Sequence, residues 1–241
     1  MALKPAKRKE KFPQHPFDAE HGTETGGLTP GPALRTGHAH DRHNTAYYGI
    51  APSLFKKLIA EWKRTKPPHA LSKYSFIDFG AGKGRAMLLA SEFNFREVIG
   101  IELHPALAKK CRRNMRIWKT SHKKTAPMRL VEADATEFIF PEGPCVAYLF
   151  NPFGAPVLRR VLKQMEAQFK DRKNELDILY ANHEREAVLK SNPAFKKLWR
   201  GLVPMSSLDA IVDLQIINSQ LDGEYGSTGD EACSIWRFKG K

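Results

Sequence analysis

The stretch Ser75-Phe76-Ile77-Asp78-Phe79-Gly80-Ala81-Gly82-Lys83-Gly84-Arg85 restricts the fold of this chain more than any other. An apolar run ends in an acid, glycines then alternate with other residues, and a second apolar run follows (Ala86-Met87-Leu88-Leu89-Ala90). The pattern predicts a buried strand, a tight turn and a helix start. Glycine is needed where a backbone takes positive φ or lets a ligand come close. A helix start presents unpaired N–H groups, which suit a small ligand carrying a carboxylate or phosphate. A P-loop would need Ser or Thr after Lys83 and glycine five residues before Gly82; Gly84 and Ile77 stand there instead. The nicotinamide fingerprint Gly-x-Gly-x-x-Gly also differs from Gly80-x-Gly82-x-Gly84.

The rest of the chain supplies a frame for this loop. Leu54, Phe55, Leu58, Ile59 and Trp62 recur at helical spacing behind Pro52. From Tyr74 onward strand and helix patterns alternate. Strands are expected at Tyr74–Phe79, Glu97–Leu103, Met128–Glu132, Cys145–Phe150 and Leu176–Ala181, with helices at Gly84–Phe93, Pro105–Trp118 and Pro156–Phe169 between them. Glu184–Leu189 and Ala194–Trp199 read as short helical pieces. Ala210–Ile217 and Ala232–Phe238 read as two closing strands joined by a turn-rich loop (Gly223, Gly226, Gly229). Alternating units imply an α/β fold, a mainly parallel, doubly wound, Rossmann-like sheet of seven strands covered on both faces, with a C-terminal antiparallel hairpin. Residues 1–45 form a basic tail and irregular arm, and residues 46–241 the domain.

Ligands of open α/β sheets bind at the carboxyl ends of the strands. Polar groups stand at four successive ends: Asp78 before the glycine loop, Glu102, Asp134 just after the third strand, and Asn151-Pro152-Phe153. Glu102 is placed to accept from two ribose hydroxyls, by the logic of dinucleotide folds, and Asp134, followed by Ala135, is a further acceptor at the third strand end. The bland reading of such acids is an N-cap or a turn former.

Asp78-x-Gly80-x-Gly82-x-Gly84 resembles motif I of the class I S-adenosylmethionine (SAM)-dependent methyltransferases, and the predicted strand pattern with its terminal hairpin resembles their arrangement. Asp78 to Arg85 with Gly100-Ile101-Glu102 is similar to bacterial methyltransferases of unassigned substrate and to the core of seven-strand protein lysine methyltransferases. The resemblance implies SAM as cofactor, with Asp78, Phe79, Gly80, Ala81, Gly82, Gly84, Glu102, Leu103, Asp134, Ala135 and Asn151 as its binding residues. Asn151-Pro152-Phe153 resembles the Asn/Asp-Pro-Pro-Tyr/Phe motif of enzymes that methylate nitrogen, and these residues are the catalytic candidates; one proline and a following Gly154 depart from that motif. The implied activity is N-methylation of a protein side chain or RNA. The alternatives are a non-catalytic basic module that binds RNA or protein, and a nicotinamide-dependent oxidoreductase, disfavoured by glycine spacing and the terminal hairpin.

A formal net charge of +13 favours a nucleic-acid or acidic-protein partner. Part of that charge is a run on the second helix of the alternating region (Lys109, Lys110, Arg112, Arg113, Arg116, Lys119) continuing to Lys123 and Lys124, which reads equally as a solvated helix face. The segments around Thr25, Tyr47 and Tyr48 are candidates for a lid over the cofactor. His38, His40 and His43 carry no metal expectation, since only Asp41 adds a donor nearby. Scattered Cys111, Cys145 and Cys233 read as buried thiols of a cytoplasmic protein. No apolar run approaches the roughly 20 residues a membrane span requires.

Overall fold

The computed structural model describes residues 14–218 and 229–240. Its centre is a seven-stranded sheet. In chain order the strands are β3 (Ser75–Phe79), β4 (Glu97–Glu102), β5 (Met128–Glu132), β6 (Cys145–Phe150), β7 (Leu176–Ala181), β8 (Phe195–Val203) and β9 (Glu231–Phe238). Across the sheet they run β5-β4-β3-β6-β7-β9-β8, the first five parallel and β9 antiparallel to both β7 and β8. The strands nearest the middle are buried along their length, as β3 and β7 show throughout and β6 shows up to Phe150 at the cleft. That is why they appear in the sequence as unbroken apolar runs.

Helices cover both faces. On one lie α2 (Pro52–Arg64), α3 (Arg85–Ser91) and α4 (Pro105–Ser121), whose inward residues include Phe55, Trp62, Met87 and Trp118. On the other lie α5 (Ala155–Phe169) and α6 (Glu186–Lys190) over Phe79, Phe138, Phe140 and Phe238. Asp177, fully buried on β7, is satisfied by the Trp62 indole at 2.7 Å and by two bonds from the Arg237 guanidinium. The cysteines are all buried and free. Among the described residues no helix is long and apolar enough to cross a membrane.

Two expectations near the C-terminus are corrected. Phe195–Val203 is a strand, not the helical piece expected at Ala194–Trp199. A register irregularity between Lys197 and Trp199 puts adjacent residues on one side and erases the two-residue alternation, leaving Phe195, Leu198 and Trp199 at helix-like spacing. Conversely, Ala210–Ile217 is no strand but part of α7 (Ser207–Asn218). Its polar residues Asp209 and Asp213, one turn apart, point inward, while Leu208, Ile211 and Leu214 are exposed. A helix that is apolar on more than one side and rich in β-branched residues imitates a strand. The closing hairpin is thus β8 and β9, with α7 in the connection. Of the glycines expected in its loop, Gly223 and Gly226 lie outside the described residues.

The N-terminal arm carries α1 (Pro16–His21) and the short antiparallel pair β1 (Leu28–Thr29) and β2 (Tyr47–Tyr48). Phe17 stacks on Trp118. Arg85, the last residue of the glycine motif, is 3 % exposed and binds the arm at several points. Its Nε donates to Thr25 Oγ1 at 2.8 Å, its Nη1 to the Gly49 carbonyl, and its Nη2 lies 3.7 Å from Asp18 Oδ2. Burial opposes ionisation of Asp18, but Arg85 and hydrogen bonds from Thr25 and Thr23 outweigh it and hold the carboxyl below its usual range.

Candidate functional site

The carboxyl ends of β3, β4, β5 and β6 open onto one cleft, of about 810 Å³ including its part open to solvent. Of the residues singled out in the sequence, Gly80, Gly82, Glu102, Leu103, Asp134, Ala135, Pro152 and Phe153 line it. Phe79 does not; it packs into the core with Phe138 and Phe140. Asp78, Ala81, Gly84 and Asn151 are buried within two residues of these lining residues in the chain.

The glycine loop is held from below and above. Gly80 N and Ala81 N both donate to the Ile101 carbonyl at the end of β4. Gly80 has φ 77° and Gly82 φ 57°, the left-handed region that favours glycine. A Cβ on Gly80 would stand 2.7 Å from Pro152 Cβ, and one on Gly82 would stand 2.1 Å from the Tyr47 ring. The loop is therefore sandwiched between the Asn151-Pro152-Phe153 corner and β2.

Glu102 is the loop's anchor. Its Oε2 accepts from Gly82 N at 2.7 Å and its Oε1 from His104 N at 2.8 Å. Burial raises its pKa. Each carboxylate oxygen keeps a lone pair beyond these bonds. Asp78 sits on β3 without a salt-bridge partner among the described residues. Burial, then the neighbouring Glu102, pushes its carboxyl up to about 8.

Asp134 Oδ1 caps the turn Ala135–Glu137 by accepting from Thr136 N at 2.8 Å. Its Oδ2 meets the arm, 2.8 Å from His40 Nδ1 and 3.6 Å from His38 Nε2. The three side chains lie close enough to hold a metal ion, a grouping the sequence hid because Asp134 is remote in the chain. Arg160 Nη1, however, is 2.6 Å from His40 Nε2. A guanidinium only donates, so Nε2 is the acceptor and the imidazole proton sits on Nδ1, facing Asp134. Asp41, the donor noted in the sequence, accepts instead from the backbone of Thr36, Gly37 and His38.

The arm forms one wall of the cleft, with Leu34, His40 and Asn44 to Tyr48 lining it. Asn44 bridges to Phe153, Gly154 N donates to the His43 carbonyl, and Thr45 Oγ1 donates to the Asn151 carbonyl at 2.6 Å. Tyr47 hydroxyl donates to the Thr25 carbonyl at 2.6 Å, so Thr25 supports this wall from behind. On α4, Lys110 and Arg113 pair with Glu24 of the arm and Arg112 with Glu132, which uses part of the basic run internally.

Asn151 has φ 41°, an uncommon conformation for a residue other than glycine, and its Oδ1 is buried without a hydrogen-bond partner among the described residues. A second asparagine repeats this conformation at the neighbouring strand end. Phe150 and Ala181 are register partners, so Asn182 follows β7 as Asn151 follows β6, and it too has positive φ, 45°. Two left-handed asparagines at adjacent strand ends are the signal; in the sequence, Asn182 has no motif around it.

No protein-family model matches this sequence, and no curated protein matches it. Solved structures do resemble it. TrmN from Thermus thermophilus aligns with a TM-score of 0.50 and 15 % identity over 78 % of this chain, which spans about half of that protein (49 %). The YcgJ protein from Bacillus subtilis gives 0.49 and 15 %, covering 77 % of this chain and 99 % of that one. Precorrin-6y C5,15-methyltransferase from Geobacter metallireducens gives 0.48 and 15 %, covering 77 % and 85 %. In strand order and connectivity, the chain has the Rossmann-like seven-stranded fold of the class I SAM-dependent methyltransferases.

Proposed function

We propose that the protein is a SAM-dependent methyltransferase acting on nitrogen of a protein side chain or RNA. The observation that carries the reading is the corner at Asn151. A strained amide with an unpartnered buried oxygen is packed, through Pro152, against a glycine loop whose other neighbour is the Glu102 carboxylate. Strain and unsatisfied polar groups persist where function uses them.

The residues fit the cofactor. Gly80 and Gly82 border the cleft and take the positive φ of a tight loop, Glu102 has spare acceptor capacity for ribose hydroxyls, and Asp134 borders the cleft where an adenine amine would be read. Bound SAM supplies an activated methyl group on a sulfonium. Asp78, ionised once a cation lies beside it, provides negative charge near the methionine end. Asn151 Oδ1 accepts an N–H of the acceptor and so turns its lone pair toward the methyl group, and the Phe153 ring adds cation–π attraction of about 0.5–2 kcal/mol. Positioning of this kind can supply much of a displacement rate.

Two outcomes follow. Asn151→Ala should lower kcat by roughly 100-fold or more, with a much smaller loss of SAM affinity; an unchanged kcat removes Asn151 from the mechanism. The second concerns protons. At pH 7 the free protein holds Asp78 protonated, since its carboxyl titrates near 8. A cation beside it favours the ionised form. SAM binding should therefore release a proton at pH 7, and affinity should rise from pH 6 to 8 and then level off. Without ligand the sign is opposite. A folded-state pKa above the unfolded one means stability declines as pH rises toward 8. Calorimetry in buffers of different ionisation enthalpy checks the release, and Asp78→Asn should abolish it. The activity itself is tested by radiolabelled methyl transfer into cell lysate, with RNase and protease treatments to assign the label.

A further inference from the structure

The peptide unit between Asn151 and Pro152 has a single hydrogen-bonding group. Proline carries no N–H, so only the Asn151 carbonyl can tie that unit to its surroundings. Among the described residues its donor is Thr45, whose Oγ1 lies 2.6 Å away. The unit needs such a tie. A residue before proline is pressed toward extended backbone, yet Asn151 sits at φ 41°. Such a conformation persists only where the surrounding structure over-determines it. On the sheet side Pro152 is backed by Gly80, where a Cβ would stand 2.7 Å from the proline ring. The arm supplies opposing restraints. Asn44 forms an antiparallel bridge with Phe153, and Gly154 N donates to the His43 carbonyl at 2.8 Å. Asn44, Thr45, Pro152 and Phe153 all line the cleft, so the corner and its clamp face the same space.

The backbone pairing at His43 and Asn44 does not depend on which side chains stand there, but the tie to Asn151 depends on one hydroxyl. A turn of the Asn151–Pro152 peptide about its neighbouring bonds would carry the Asn151 side chain and the Phe153 ring with it. We infer that Thr45 is a positioning residue for methyl transfer: its hydroxyl holds this peptide so that Asn151 and Phe153 meet the acceptor nitrogen in a fixed geometry. The inference rests on the methyltransferase reading and extends it from the sheet to the arm. The arm then completes the acceptor corner as well as walling the cleft. A displacement of a positioning group by a fraction of a bond length is enough to slow a displacement reaction strongly. The Asn151 amide oxygen, which has no partner among the described residues, is the atom whose placement the clamp fixes.

The test compares two ligands on the full chain by calorimetry. Sinefungin carries an amine where SAM carries its methyl group, and S-adenosylhomocysteine carries nothing there. An N–H donor at that place probes the acceptor corner without any acceptor being known. The readout is the ratio of the two dissociation constants, in which a general loosening of the cofactor site cancels. The unmodified protein should bind sinefungin roughly tenfold more tightly than S-adenosylhomocysteine. Thr45→Val replaces the hydroxyl by a methyl group and keeps the branched shape; it should bring the ratio to within about twofold of unity, as should Asn151→Ala. Thr45→Ser, which restores the hydroxyl, should keep the ratio within about twofold of the unmodified value. A Thr45 that served stability alone would lower Tm without moving the ratio. Full retention of the ratio in Thr45→Val, its loss in Thr45→Ser, or no preference for sinefungin in the unmodified protein would overturn the inference. Thr45→Ser decides the matter if Thr45→Val does not fold. Failure of the methyltransferase reading looks different, because the unmodified protein would then bind neither ligand.

Discussion

Glu102→Ala should weaken SAM binding by about 2–3 kcal/mol, roughly 30- to 150-fold, as measured by calorimetry at pH 7. The size follows from what the carboxylate does before any ligand arrives. It takes a backbone N–H from Gly82 on one side and from His104 on the other, so it fixes the glycine loop relative to the start of α4. The alanine variant loses the ribose contacts and also frees two N–H groups in a buried site. Glu102→Gln, which keeps one oxygen in place, should fall between the two. An alanine variant that binds SAM as the unmodified protein does would refute the role assigned to Glu102.

Arg85→Ala should be the most destabilising single change among these predictions. Arg85 joins α3 to the arm through Thr25, Gly49 and Ile50 and sits against Asp18, which also accepts from Thr23, Thr25 and Gly26. Removing one member of a buried ion pair leaves the other uncompensated and typically costs about 3–5 kcal/mol. For a chain of this size that lowers Tm by about 6–20 °C. The arm is also a wall of the cleft, so SAM affinity should fall as well, at temperatures where the variant is still folded. Differential scanning calorimetry gives the first number and a SAM titration at 15 °C the second. A Tm within 2 °C of the unmodified protein would show that the arm does not depend on Arg85.

The parts of this fold that sequence displays are those whose environment is uniform along an element. Strands β3 and β7, and β6 up to Phe150, are buried on every side, and α2 buries a single stripe, so their patterns are unbroken. The polar strand ends were legible for the same reason, since each closes an apolar run: Asp78, Glu102 and Asn151 stand at or beside the cleft. Where the environment changes within an element, the pattern misleads. The register irregularity in β8 and the inward aspartates of α7 each reverse the period that the apolar residues suggest. The arm was illegible for a different reason. Its contacts join residues far apart in the chain, Thr25 to Arg85, Thr45 to Asn151 and His40 to Asp134, and no local periodicity encodes such pairs. Asp134 shows both readings together: it caps a turn and still borders the cleft.

The central claim is that this cleft is built for SAM rather than for a nicotinamide dinucleotide. The most direct measurement is a pair of calorimetric titrations of the full chain, one with SAM and one with NADH. Saturable one-to-one binding of SAM, with NADH giving no heat beyond dilution, is the predicted result. Tight binding of NADH with none of SAM would contradict the account at its base.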